Sequence, residues 1–325
     1  MPLLSLIIPL YNTEKFIGEC LSSILDSSAD KADYEVIVID DGSTDGSGEI
    51  VQLFSKKYYN IHLFSQENQG VSVARMKGAE KATGDYLWFI DSDDYLLDGA
   101  LEEVMHLIRD NLTVDTFLVQ VLIKEEGREY VKPFASARES IMTGKLYLKM
   151  KPVAVCPVQF IFKKVLLDNR WIYFPEGLRH EDEYFCRTLQ YFSGTIKILE
   201  KPMYVYRQWY GSYMNSGGVN ALYDMVGVYL HLKEFVEKGA DFEDRGWLQA
   251  DIISFLMGTH SWHRHLFNKE EFLTFRNKHL DFIYGEFRKS ARLFTYKDRV
   301  LGYLLLKQPK IYSLLLSAKK RLFCL

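Results

Sequence analysis

The chain has 325 residues, of which 48% are hydrophobic and 26% are charged, and its formal net charge is −3. This composition is typical of an ordinary globular protein and excludes collagen-like, coiled-coil and intrinsically disordered chains. The length is sufficient for two structural units. Four cysteines are scattered without a C-x-x-C pair, a usage that favours a reducing compartment over a disulfide framework or a zinc knuckle.

The first part of the chain alternates apolar runs with helical patterns. We predict strands over residues 3–10, 34–39, 61–64 and 85–90, and helices over residues 14–26, 47–57 and 71–82. Successive strand and helix units of this kind predict a mostly parallel α/β sheet with helices on both faces. Ligands bind such sheets at the carboxyl ends of the strands.

The rest of the chain is predicted to complete the sheet and then to become helical. Residues 116–123 are typical of an apolar strand that leads to a hairpin near residues 125–128. Further helices are predicted over residues 223–238, 247–265 and 269–292. The predicted organisation is residues 1–113 and 114–217 as two halves of one domain, and residues 218–325 as a helical region.

Acidic residues follow two of the predicted strands. Asp91, Ser92 and Asp93 form a D-x-D triplet, and carboxylates in this arrangement either bind a hard divalent cation or cap the next helix. Asp40 and Asp41 follow the second strand, where they either accept hydrogen bonds from a ribose or base or belong to an ordinary strand-to-helix turn. The dinucleotide and P-loop glycine motifs do not occur.

Four motifs in order resemble the family 2 glycosyltransferases of the GT-A fold. They are residues 5–12 (SLIIPLYN), 38–45 (VIDDGSTD), 68–75 (NQGVSVAR) and 84–94 (GDYLWFIDSDD). The resemblance implies an inverting enzyme that transfers a sugar from a nucleotide-diphosphate sugar, with UDP as the expected nucleotide, to a hydroxyl acceptor. Met76 departs from the family pattern, which commonly has Asn at this position.

The resemblance also implies roles for individual residues. It places the donor-binding role on Pro9, Tyr11, Asp40, Asp41, Arg75, Asp91 and Ser92. Tyr11 is expected to pack against the base, Asp41 with Asp40 to hold the base or ribose, and Arg75 to approach the nucleotide. Asp93, with Asp91, is expected to bind Mn²⁺ or Mg²⁺.

A second acidic segment supplies a candidate general base. Glu181-Asp182-Glu183-Tyr184-Phe185 resembles the family's E-D-x-x-F segment, which implies that Asp182 accepts the proton of the acceptor hydroxyl. Glu181 is the second candidate, and an acidic first turn of a helix is the structural alternative. Arg207 either faces the diphosphate or belongs to an aromatic strand packed in the core.

The carboxyl-terminal segment is strongly basic. Residues 288–325 carry a net charge of +9, so the remainder carries −12. With leucines at helical spacing, this segment is expected to contact an anionic membrane surface, the acidic body of the protein, or a second copy in a homodimer.

The charge pattern and the resemblance together give a full functional hypothesis. They predict a cytoplasmic enzyme, peripheral on the inner face of the cell membrane, that extends a glycan or lipid-linked glycan of a surface polysaccharide. Nucleic acid is an unsuitable partner, since the predicted cleft is lined by aspartates. The alternatives are a nucleotidyltransferase and a non-catalytic protein that binds carbohydrate or nucleotide.

Overall fold

The computed structural model describes residues 1–125, 128–131, 140–150, 154–208, 220–262, 270–294, 299 and 303. The chain separates into two compact units. The first consists of Met1–Gly177 with Glu181–Ser212, and the second of Leu178–His180 with Tyr213–Leu325. The first unit contains the sheet, and the second contains the helices that follow it.

Ten strands are found in the described residues, all in the first unit. They are β1 (Leu4–Leu10), β2 (Tyr34–Asp40), β3 (Ile61–Ser65), β4 (Tyr86–Phe89), β5 (Tyr95–Leu96), β6 (Thr116–Glu125), β7 (Arg128–Val131), β8 (Ser140–Met142), β9 (Phe160–Lys163) and β10 (Ile196–Arg207). The helices of this unit are α1 (Ile17–Leu25), α2 (Ser47–Lys57), α3 (Val71–Lys81), α4 (Ala100–Asp110), α5 (Gly144–Lys149) and α6 (Glu181–Phe192). The second unit contains α7 (Asn220–Glu234), α8 (Arg245–Trp262) and α9 (Glu270–Lys289).

The strands form one sheet in the order β3-β2-β1-β4-β9-β6-β10-β5, with β7 paired to β6 and β8 to β10. The first four strands are parallel, as predicted. Beyond β4 the sheet is mixed, because β9 is antiparallel to both of its neighbours, whereas β6 and β10 are parallel to each other. The α/β sheet is therefore confirmed, with a parallel half and a mixed half.

Each face of the sheet is covered by its own apolar core. In β1, Leu4, Leu6, Ile8 and Leu10 pack in the same cluster as residues of α1 and α4. Ile7 of the same strand lies in the second cluster, with residues of α3 and α6. Because side chains of a strand alternate between faces, a strand buried on both sides needs apolar residues at nearly every position. This requirement explains the nearly continuous apolar sequence of β1, in which Ser5 is the one polar residue.

The helices predicted after residue 217 are found as α7, α8 and α9, and residues 263–265 and 269 of the predicted ranges lie outside the described residues. The helix predicted over residues 223–238 begins at Asn220 as α7, and its last turn is a π-helical segment, Phe235–Gly239.

The predicted hairpin is confirmed by antiparallel pairing of β6 with β7, with Glu125 opposite Arg128. The apolar positions that suggested an amphipathic tail, residues 311–322, lie outside the described residues. Of the helices that are described, none combines the length and apolarity required to cross a bilayer.

Gly144 marks a close approach between α5 and α6. A Cβ atom at Gly144 would lie 1.7 Å from the carbonyl oxygen of Gln190, which belongs to the backbone and cannot swing away. We expect Gly144→Ala to lower the free energy of unfolding by about 1–3 kcal/mol through overpacking. Gly285→Ala in α9 is the control: among the described residues a new Cβ there meets nothing within 4 Å. That change should raise helix stability by about 0.5–1 kcal/mol. Urea denaturation of both variants checks the prediction, and equal stabilities would contradict it.

Candidate active site

The loops that follow β1, β2 and β4 are joined at one edge of the sheet. Both β2 and β4 are parallel neighbours of β1, so their carboxyl ends lie side by side. Asn12 Oδ1 accepts the backbone N–H of Thr44 at 2.8 Å, which connects the first loop to the second. The Thr13 hydroxyl donates to Ser92 Oγ at 3.0 Å, which connects the first loop to the third. The sheet thus brings together the sequence segments predicted to bind a donor.

Pro9 and Tyr11 lie at the end of β1. Pro9 is buried within the strand, opposite Ile39 of β2. Tyr11 follows the strand, and 47% of its surface is exposed. An exposed aromatic ring at this edge is available to stack on the planar face of a base.

Asp41 is buried and holds the loop that precedes α3. Its Oδ1 accepts the Gln66 side-chain amide at 2.7 Å and the backbone N–H of Gln69 at 2.8 Å, and its Oδ2 accepts the N–H of Gly70 at 2.8 Å. A carboxylate offers about four acceptor positions, so the protein itself uses most of those of Asp41. Asp40 closes a local turn, since its Oδ1 accepts the N–H of Ser43 at 2.9 Å. The ordinary strand-to-helix turn, which the sequence left open as an alternative at this strand end, is thus present in the structure.

Arg75 of α3 joins the end of β4 to the start of α6. Its Nη1 donates to Glu181 Oε1 at 2.8 Å, and its Nη2 donates to Asp91 Oδ1 at 2.9 Å. Burial lowers the pKa of Arg75, but the carboxylates of Asp91 and Glu181 outweigh burial and raise it above its ordinary value. Arg75 therefore stays charged while it links two acidic segments that are distant in sequence.

Aromatic packing fixes the start of α6 beside Arg75. Phe185, the phenylalanine of the E-D-x-x-F segment, stacks on Phe174 with 3.9 Å between ring centroids. The guanidinium of Arg75 lies 5.2 Å from the centroid of the same Phe174 ring. The motif phenylalanine thus anchors the helix that carries the predicted base.

Asp182 is partly buried in the first turn of α6, next to Glu181. Burial raises the pKa of Asp182, and the negative charges of Glu181 and Glu183 raise it further, while Arg75 opposes them. A carboxylate with a raised pKa is a better proton acceptor near neutral pH than an ordinary aspartate. Glu181 is more buried, and its carboxylate is paired with Arg75. The two predicted candidates for the base thus lie in different environments.

The D-x-D residues lie in a turn directly after β4. Asp91 and Asp93 are both partly buried, and Ser92 is buried. Asp91 and Asp93 supply hard oxygen donors of the kind that Mg²⁺ and Mn²⁺ prefer. Within the described ranges, His, Cys, Asp and Glu side chains form no group of three or more that could enclose an ion.

We assigned no separate role to Asp94 or to Tyr204 from the sequence. Asp94 is fully buried and accepts the Tyr204 hydroxyl, while burial and the charges of Asp91 and Asp93 raise its pKa. The sequence carried one signal for Asp94: it is a third aspartate, directly after the D-x-D triplet.

Arg207 forms an ion pair with Glu19 at 2.9 Å, and its guanidinium lies 5.1 Å from the centroid of the Phe16 ring.

Comparison with known families decides the classification. Residues 5–171 match the profile of glycosyl transferase family 2. The chain belongs to this family. As a family 2 member it is 28% identical over 214 residues to the uncharacterized glycosyltransferase EpsJ of Bacillus subtilis, covering 64% of this chain and 62% of EpsJ. It is 31% identical over 188 residues to the poly(ribitol-phosphate) beta-glucosyltransferase of Bacillus spizizenii, covering 56% of this chain and 28% of that enzyme. The matched region therefore spans less than two thirds of either relative.

Solved structures show the same fold as this family 2 chain. Residues 1–349 of Staphylococcus aureus TarS, in complex with UDP-GlcNAc, superpose with a TM-score of 0.77 at 25% identity, covering 94% of this chain and 87% of that one. The mannosyltransferase PcManGT of Pyrobaculum calidifontis, with GDP-Man and Mn²⁺, shares the fold at 16% identity and a TM-score of 0.53. The predicted GT-A fold with a helical carboxyl-terminal region is confirmed.

Proposed function

We propose that the chain is an inverting glycosyltransferase that moves a sugar from a UDP-sugar to a hydroxyl of a glycan acceptor in surface polysaccharide synthesis. The single observation that carries the proposal is the bridge made by Arg75, which contacts Asp91 of the D-x-D turn and Glu181, the neighbour of Asp182. Nucleotide-sugar transfer needs a group that binds the donor next to a group that removes the acceptor proton. TarS with bound UDP-GlcNAc and the poly(ribitol-phosphate) glucosyltransferase support this substrate class.

We place the donor site at the edge of the sheet where the loops after β1, β2 and β4 meet. Tyr11 stacks on the base, and Asp40 and Asp41 accept hydrogen bonds from the base or ribose. Pro9 supports the backbone at the end of β1, and Ser92 lies beside the diphosphate. The exposed ring of Tyr11 and the hydrogen bond between Thr13 and Ser92 support this arrangement.

Asp93 and Asp91 are the proposed ligands of a divalent cation, Mn²⁺ or Mg²⁺. Two carboxylates suit such an ion, since Mg²⁺ sites of this type take one or two protein carboxylates and complete their coordination with water and substrate phosphates. A bound cation supplies positive charge that stabilises the leaving nucleoside diphosphate. The hydrogen bond from Arg75 to Asp91 Oδ1 holds that carboxylate in place at the end of β4.

Asp182 is the proposed general base. In its carboxylate form it accepts the proton from the acceptor hydroxyl as that oxygen attacks the anomeric carbon from the face opposite the leaving diphosphate. The ion pair with Arg75 holds Glu181 and favours Asp182 over Glu181 for this role. Glu181 then serves to fix the first turn of α6.

The proposed location of the enzyme at a membrane rests on the positive charge of residues 288–325. A lipid-linked glycan acceptor at the inner face of the membrane, with residues 288–325 on anionic lipid, suits a segment of net charge +9. A homodimer through the same segment is the alternative use of its apolar positions. Family membership favours transfer of a sugar over nucleotidyl transfer or binding without catalysis.

Donor binding provides the direct test of the proposal. We expect UDP and UDP-sugars with Mn²⁺ to raise the Tm, because a ligand at about 100 times its Kd stabilises the folded state by about 2.7 kcal/mol. Asp93→Asn should lose most of the Mn²⁺-dependent part of this shift. Asp98→Asn is the matched control, since Asp98 is an exposed aspartate a few residues further along the chain. The proposed function would be refuted if no nucleotide-sugar shifts the Tm and if the protein releases nucleotide from none of them in the presence of glycan acceptors.

A further inference from the structure

Asp94 is the last residue of the D-x-D turn, residues 91–94, and its side chain lies in the protein interior. It is fully buried, and both carboxylate oxygens are bound by β10. Oδ2 accepts the Tyr204 hydroxyl at 2.6 Å, and Oδ1 accepts the backbone N–H of Arg207 at 2.8 Å. Asp94 therefore attaches the end of the turn to a strand on the other side of β9 and β6.

The Tyr204 hydroxyl also holds the beginning of the turn. It accepts the backbone N–H of Asp91 at 3.1 Å while it donates to Asp94. Within the turn, the N–H of Asp94 donates to the carbonyl oxygen of Asp91 at 3.0 Å. One hydroxyl group thus contacts both ends of the four-residue segment that contains the D-x-D triplet.

Tyr204 itself is held rigidly. It is fully buried in β10, where it lies opposite Leu96 of β5 and Val121 of β6. Its ring packs against Trp88, with 6.4 Å between the centroids, and the Trp88 indole N–H donates to the carbonyl oxygen of Val158 at 2.8 Å. A hydroxyl fixed in this way cannot follow a movement of the turn, so it defines where the turn lies.

We propose that Tyr204 and Asp94 are positioning residues that orient the carboxylates of Asp91 and Asp93 for a divalent cation and the donor diphosphate. The inference rests on the proposed function. Both residues are fully buried, and their hydrogen bonds hold the two ends of the turn. Small octahedral cations demand near-ideal ligand geometry, and groups that orient metal ligands commonly change metal affinity when they are removed.

The test measures Mn²⁺ binding directly. Tyr204→Phe keeps the ring and removes only the shared hydroxyl. We expect the Kd for Mn²⁺ in the presence of UDP, measured by isothermal titration calorimetry, to increase about 10- to 100-fold. The Mn²⁺ concentration for half-maximal UDP-sugar turnover should increase with it, while kcat at saturating Mn²⁺ changes much less. Asp94→Asn should shift the same two constants in the same direction, and it serves if Tyr204→Phe does not fold.

Tyr86→Phe separates positioning from general loss of stability. Tyr86 is also a buried tyrosine of the sheet, and its hydroxyl donates to the carbonyl oxygens of Val114 at 2.7 Å and Leu112 at 3.2 Å. This variant should lose stability but keep the wild-type Kd for Mn²⁺. Equal Mn²⁺ affinities in Tyr204→Phe and Tyr86→Phe would overturn the positioning role, even where Asp93→Asn abolishes binding and the proposed function stands. Wild-type affinity in Asp93→Asn would overturn the proposed cation site, and the positioning role with it.

Discussion

Asp182→Asn is expected to lower kcat by about 10²- to 10⁴-fold, the contribution typical of general-base catalysis. The amide has nearly the shape of the carboxylate but cannot accept the acceptor proton. The first turn of α6 is held by the ion pair of Glu181 with Arg75 and by the stacking of Phe185, neither of which involves the Asp182 side chain. Donor affinity should therefore stay close to that of the wild type. Steady-state release of UDP and calorimetric titration of the donor measure the two quantities separately.

The pH dependence of the same variant gives a second readout. Burial and the charges of Glu181 and Glu183 raise the pKa of Asp182, although the positive charge of Arg75 partly opposes this effect. Because the base acts as a carboxylate, kcat/KM should fall as the pH decreases through this raised pKa, above the value of about 3.9 of an ordinary aspartate. Asp182→Asn should lose this acidic limb. Wild-type turnover and an unchanged acidic limb in Asp182→Asn would show that Asp182 is not the base.

The parallel half of the fold could be predicted from the sequence because its strands are buried on both faces. Such strands need nearly continuous apolar runs, which are visible in β1 and β2 without knowledge of their neighbours. The direction of β9 was not predictable in this way. Its four residues, Phe160–Lys163, are apolar enough for either direction, and the pairing with β4 and β6 depends on the path of the chain between them.

The candidate site was predictable in its residue types but not in its contacts. The order of the motifs indicated Asp91, Asp93 and Asp182, because each stands in a short local pattern. The contact of Arg75 with Glu181 joins residues 106 positions apart, and that of Tyr204 with Asp94 joins residues 110 positions apart. Neither Arg75 nor Tyr204 carries a local signal for its partner, so only the folded structure shows that Asp91 and Glu181 are both paired with Arg75 and that Tyr204 contacts Asp94.

Arg75→Met is expected to reduce stability and activity together. The side chains of Arg75 and Glu181 are only 7% and 9% exposed, and that of Asp91 is 25% exposed. Removal of the guanidinium leaves two carboxylates close together without a positive partner, and breaking a buried pair in this way costs about 3–5 kcal/mol. Repulsion should also displace Asp91 and the start of α6, which raises the KM for the donor and lowers kcat. Urea denaturation and steady-state kinetics of the purified variant measure both effects.

A double variant and a surface control test whether the stability lost in Arg75→Met comes from carboxylates left without a positive partner. Arg75→Met with Glu181→Gln removes one unpaired carboxylate and should recover part of the lost stability, but not the activity, because Asp91 still lacks its hydrogen bond. Arg109→Met breaks an ion pair with Asp33 in which the arginine side chain is 43% exposed, so it should change stability by less than about 1 kcal/mol. No recovery of stability in the double variant would indicate that Arg75 stabilises the fold through its contact with the Phe174 ring. An equal loss in Arg109→Met would show that burial does not set the cost of breaking these ion pairs.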